Sequence, residues 1–197
     1  MGISLVTDSA SSLPQADIDR YGIEVVPLRV VEDGVSTPAE EIDLQDFYRR
    51  LPGLQPVPTT AAPSPAEFAE VFRRPGVRGD GVIAVLISSK LSSTFESAEL
   101  GATMVRERHP DARIELVDSE SNSMQQGFAL LAAAEVAQSG GTLEECVAAA
   151  RRPSPARGSS LRPRVSTTWH AAVVSRVRGV SWAPCSRSRR SSPRACS

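Results

Sequence analysis

The chain has 197 residues, 41% of them hydrophobic, and a formal net charge of −1. That is enough apolar material for one large or two small cores, and too little net charge for general attraction to nucleic acid or an anionic membrane. No segment is long enough to span a bilayer, and the opening Met1-Gly2-Ile3-Ser4 lacks the basic and apolar regions of a signal peptide, so a cytoplasmic protein is the expectation. Cys146, Cys185 and Cys196 show no metal-ligand spacing and are odd in number, so neither a metal site nor a disulfide framework is expected.

In chain order, Ile3 to Val6 reads as a short strand running into Thr7-Asp8-Ser9-Ala10-Ser11-Ser12. Pro14 to Tyr21 reads as a helix entered at proline and closed by Gly22, and Ile23 to Val31 as the second strand. Asp33-Gly34 signals a turn. Asp43 is the expected cap of a short helix with Leu44, Phe47, Tyr48 and Leu51 on one face. A proline-rich connector, Pro52 to Pro63, leads to Ser64-Pro65-Ala66-Glu67, a capping box with proline at the first helical position. Phe68, Val71 and Phe72 then follow at core spacing.

The most informative stretch is the apolar run Val82 to Ile87, a buried strand that breaks into Ser88-Ser89-Lys90-Leu91-Ser92-Ser93-Thr94. Ser93-x-x-Glu96 has the pattern of a second capping box, opening a helix with Phe95, Ala98, Ala102 and Val105 on one side that stops before Pro110. Ile114 to Val117 repeats the strand-to-hydroxyl pattern with Asp118-Ser119-Glu120-Ser121-Asn122-Ser123. A more apolar helix, Met124 to Ala137, ends at Gly140-Gly141, and Thr142-Leu143-Glu144-Glu145 starts another. Strands alternating with helices predict an α/β fold with a parallel sheet flanked by helices, whose ligands bind beyond the carboxyl ends of the strands. Three such ends rich in hydroxyls, with unpaired helix N–H groups beside them, suit a carboxylate or phosphate.

After Glu145 the only charged residues are arginines, and from Pro153 onward serine, arginine and proline replace any sustained period. Two readings stand: a disordered basic tail, or a shift of the reading frame near Arg152, since codons begun one nucleotide earlier permit a strand followed by a glycine turn. The expected organisation is an α/β lobe over residues 1–152 and an irregular segment over 153–197.

Thr7-Asp8-Ser9, Thr60-Ala61-Ala62-Pro63-Ser64, Ser88 through Ala98, and Asp118-Ser119 with Ser121 and Ser123 resemble, in that order, the motifs of the DegV family. The likeness covers residues 3 to about 150. It implies two α/β lobes, with a long-chain fatty acid buried in a tunnel and its carboxylate near the hydroxyl loops. It further implies a non-catalytic subunit that presents the acid to a separate fatty acid kinase, with no cofactor beyond the bound lipid and no specific nucleic acid as partner. Carried over position by position, Thr60 and Ser92 would hold the carboxylate and Ser64 would mainly cap its helix. Asp8, Ser9, Ser93, Thr94, Asp118 and Ser119 would support them.

The chain departs from the family at Ser93, where glycine is usual, and at Gln125 and Gln126, where small or apolar residues are. It also lacks the leucine-x-x-glycine-glycine-arginine motif of the second lobe, although the shifted frame permits a matching string. The alternatives are a serine hydrolase with Ser92 or Ser93 as nucleophile, or a non-functional truncated product with a basic tail that binds nucleic acid. The first lacks a glycine-x-serine-x-glycine elbow and a placed base. The second would bind in a salt-dependent manner without sequence preference.

Overall fold

The computed structural model describes residues 2–79 and 81–152. The segment 153–197, for which a tail or a frame shift is expected, lies outside the described residues. In chain order, β1 (Ser4–Asp8) passes through a 3-10 turn (Ser9–Ser11) to α1 (Gln15–Tyr21), β2 (Glu24–Val26), β3 (Arg29–Glu32) and β4 (Val35–Pro38). Then come α2 (Leu44–Arg50), β5 (Thr59–Ala61), α3 (Pro65–Arg78), β6 (Val82–Leu86), α4 (Thr94–Arg108), β7 (Ile114–Asp118), α5 (Ser123–Gln138) and α6 (Leu143–Ala150).

The main sheet is parallel, in the order β2-β1-β6-β7. Its central strand, β6, is buried at every position, which explains its unbroken apolar run. Alternation divides that run between two cores. Val82, Ala84 and Leu86 join Phe68 and Phe72 of α3 and Ala98, Ala102 and Val105 of α4. Ile83 and Val85 join Leu130, Ala133 and Ala134 of α5 and Leu143 and Cys146 of α6. Phe68 and Phe72 stack with ring centroids 5.6 Å apart and are fully buried, each worth roughly 1.5–3 kcal/mol of apolar transfer. The sheet thus carries helices on both faces, as the alternation of elements predicts.

A second, antiparallel sheet has the order β4-β3-β5, and here the structure corrects the sequence reading twice. The expected single strand over Ile23 to Val31 is two strands in different sheets. The break falls at Pro27, which has no N–H for a ladder. The next residue, Leu28, donates its N–H to Ser9 Oγ at 3.0 Å and accepts from the Ala39 N–H at 2.8 Å. The proline-rich connector contains β5, which pairs antiparallel with β3 in the register Val30↔Thr60. The Asp33-Gly34 turn is present, with φ of 51° and 80° closing the β3–β4 hairpin. On α2 the expected apolar face is only partly used, since Leu44 and Tyr48 are 56% and 65% exposed.

Candidate functional site

The main sheet changes winding direction between β1 and β6: β2 lies on one side of β1, while β6 and β7 lie on the other. In an open parallel sheet this switch opens a crevice at the carboxyl ends of the two strands. The loops that follow are Ser9–Ser12 after β1 and Ile87–Ser93 after β6, and the loop after β7 lies alongside.

Hydrogen bonds join the three loops. Asp8, fully buried at the end of β1, accepts from the Ala10 N–H with Oδ1 at 2.9 Å and from the Ile87 N–H with Oδ2 at 2.7 Å. Burial pushes its pKa up, and the bonds from the Ile87 and Ala10 amides only partly counter this. Asp118, at the end of β7, accepts from Ser89 Oγ at 2.6 Å, the Ser89 N–H at 3.3 Å and the Glu120 N–H at 2.8 Å. Partial burial alone would raise its pKa. The Ser89 hydroxyl, the Glu120 and Ser89 amides and the charge of Lys90 together hold it below the ordinary value. The Ser88 N–H donates to Ser121 O at 2.8 Å, and Ser123 Oγ donates to Ser12 Oγ at 3.4 Å. Ser12, Glu120 and Ser123 all have φ between 50° and 54°, a left-handed conformation that non-glycine residues adopt at some cost and that concentrates at functional sites.

Ser92 and Thr94 form the centre of the middle loop. Their hydroxyls lie 2.8 Å apart, and Ser92 Oγ also accepts from the Thr94 N–H at 3.2 Å. Ser92 is half-buried and Thr94, the first residue of α4, is fully buried. The expected Ser93–Glu96 capping box is not formed: Ser93 is exposed and its side chain makes no cap bond. Its φ of −75° and ψ of 5° depart from the extended backbone that aims a cap side chain at the helix amides. The hydroxyl of Ser92, one residue earlier, takes the Thr94 amide instead.

Thr60 is exposed on β5. Three residues further on, the Pro63 carbonyl accepts from Ser97 Oγ at 2.6 Å, tying the end of β5 to the first turn of α4. Three residues of chain reach no more than about 11 Å, which bounds the distance of Thr60 from this anchor. Ser64 accepts from the Glu67 N–H while Glu67 returns a bond to the Ser64 N–H, the expected capping box. Ser9 secures the β2–β3 link as described. Ser119 Oγ donates to Ser121 O at 3.1 Å, and the Ser119 N–H extends the ladder to Leu86 O.

The sequence reading assigned no role to several residues that hold the loops and the sheet. Ser97 carried no signal beyond its place in a helical turn. Gln126 is buried on α5 and donates through Nε2 to Thr7 Oγ1 at 3.1 Å, while its Oε1 has no partner. Thr7 in turn donates to Val85 O at 2.8 Å. Two polar residues on apolar faces were the available signal. His109 caps the far end of α4, about 22 Å along the helix from its start, and so provides no base for Ser92.

This is a three-layer α/β lobe whose hydroxyl-rich loops meet at the switch point of a parallel sheet. The chain belongs to the DegV family: the model described as "Uncharacterised protein, DegV family" matches residues 2–156. A DegV domain-containing protein of Streptomyces coelicolor is 38% identical over 152 residues, which are 76% of this chain and 52% of that protein. The structure described as fatty acid binding of a DegV family protein from Thermus thermophilus is 38% identical, with a TM-score of 0.68 over 76% of this chain and 52% of the other. A stearic acid-binding protein from Eubacterium ventriosum is 27% identical, with a TM-score of 0.68 over 74% and 51%. The chain spans about half the length of the relatives it matches. Among the described residues no helix is long and apolar enough to cross a membrane.

Proposed function

We propose that this chain binds a long-chain fatty acid, with the hydroxyls of Thr60 and Ser92 holding the carboxylate, and presents it to a partner fatty acid kinase without catalysing the transfer itself. The observation that carries the reading is the Ser92–Thr94 hydroxyl pair at the start of α4, where Ser93 makes no cap bond of its own. A carboxylate removed from water needs donors, and hydroxyls with helix N-terminal amides supply them without a full positive charge. Uncharged donors leave a carboxylate oxygen free to accept a phosphoryl group. The acyl chain provides the affinity, at about 0.8 kcal/mol for each buried methylene and on the order of 10 kcal/mol before the cost of immobilisation. Related structures with fatty acid bound support the same ligand class. Native mass spectrometry of the purified full chain is expected to find a co-purified long-chain fatty acid released on denaturation. Protein that takes up no fatty acid even when supplied with it would refute the reading.

A further inference from the structure

The loop that carries Ser92 is held from both sides by carboxylates on the neighbouring strands. Leu86, the last residue of β6, is level with Asp118 of β7. On the other side Thr7 is level with Val85, which places Asp8 one step further, level with Leu86. From these equivalent positions Asp8 takes the Ile87 N–H, and Asp118 takes both the N–H and the hydroxyl of Ser89. Both oxygens of each carboxylate are thereby engaged by N–H or O–H donors of the chain.

The loop then turns on bonds of its own. Ser92 N–H donates to Ser88 O at 3.1 Å, and Lys90 N–H to Ser88 Oγ at 3.3 Å. Ser88, which lies between the two braced residues, thus ties Ile87 and Ser89 to the amide of Ser92.

We propose that Asp8 and Asp118 are a pair of positioning residues, a two-sided brace that fixes the Ile87–Ser93 loop so that Ser92 meets the ligand's carboxylate. This rests on the functional reading above and gives two of the expected supporting residues a defined role away from the ligand. The physical argument is preorganisation: a hydroxyl that need not be ordered on binding gives its full hydrogen bond to the ligand. Two carboxylates beside an anion site would otherwise oppose binding, but each directs its oxygens at N–H or O–H donors of the chain.

Asp118 is the accessible arm for a test, being only partly buried. The full chain carrying D118A, D118N or S89A is titrated with stearate and, separately, with stearyl alcohol, which has the same hydrocarbon and no carboxylate. D118A is expected to weaken stearate binding about fivefold while leaving alcohol binding unchanged and speeding exchange of the Ser89 amide hydrogen. S89A, which removes the hydroxyl bond but leaves the residue 89 and Glu120 amides on Asp118, should give a smaller loss, and S89A combined with D118A no more loss than D118A alone. D118N keeps one acceptor and should recover part of the affinity. Variants that bind stearate as wild type does, or that lose acid and alcohol equally, would overturn the positioning role. A wild-type chain that binds neither ligand would instead refute the functional reading on which it depends.

Discussion

Asp8 combines complete burial with two hydrogen bonds from backbone amides, and burial outweighs those bonds, so its pKa is raised above the ordinary 3.8. A carboxyl whose folded pKa exceeds its unfolded value destabilises the fold when ionised. The penalty is absent below about 3.8 and is imposed as the pH rises through the folded pKa. Relative to D8N, which cannot titrate, the wild type is therefore expected to gain stability as the pH falls from about 7 to about 4. Urea unfolding midpoints of the two proteins across that range check the sign, and a wild type that loses ground on acidification would contradict it. The residue scale also shows what the sequence could convey. The clustering of hydroxyls after β6 was readable because short polar side chains rarely follow a buried strand by accident. Which hydroxyl caps α4 was not, because Ser92 and Ser93 are chemically alike and only the backbone angles at Ser93 decide.

Among the elements, the contact of α3 with α4 sets the geometry of the site. Gly101 faces Phe68 Cβ and Pro65 O so closely that a Cβ built on it would lie 2.7 Å from each. Neither neighbour can move cheaply, since one is a carbonyl and the other the stem of a fully buried ring. Alanine would gain about 1 kcal/mol of helix propensity, but the overpacking is expected to win. G101A should be less stable by about 1–3 kcal/mol, measured by denaturant unfolding. A variant as stable as wild type would show that the helices can separate without cost. Such separation would also strain the Ser97–Pro63 bond that joins the end of β5 to α4.

The helices were legible in the sequence because their caps and apolar spacing agree: Ser64 with Glu67, Gly22 after Tyr21, Gly140 after α5. The small antiparallel sheet was not. Its β5 has three residues between prolines, too short to show alternation, and exists through pairing with β3. The division of β2 from β3 was readable in principle from Pro27, but the flanking β-branched residues on both sides concealed it.

For the molecule as a whole, the parallel sheet brings together three loops that are far apart in sequence, and the antiparallel sheet brings in β5. The strand-to-hydroxyl pattern repeated three times made the grouping of these loops readable. The link from Thr60 to α4 depends on a side-chain bond to a carbonyl 34 residues away, which no local pattern reveals. The chain corresponds to about half the length of its relatives, so the central claim must be tested on the half present. The most direct measurement is the affinity of the full chain for stearate compared with stearyl alcohol, in wild type and in T60V combined with S92A. Valine keeps the branched shape that β5 requires while removing the hydroxyl. The account expects the double variant to lose about tenfold or more in stearate affinity and to bind the alcohol as before. Unchanged stearate binding would contradict it.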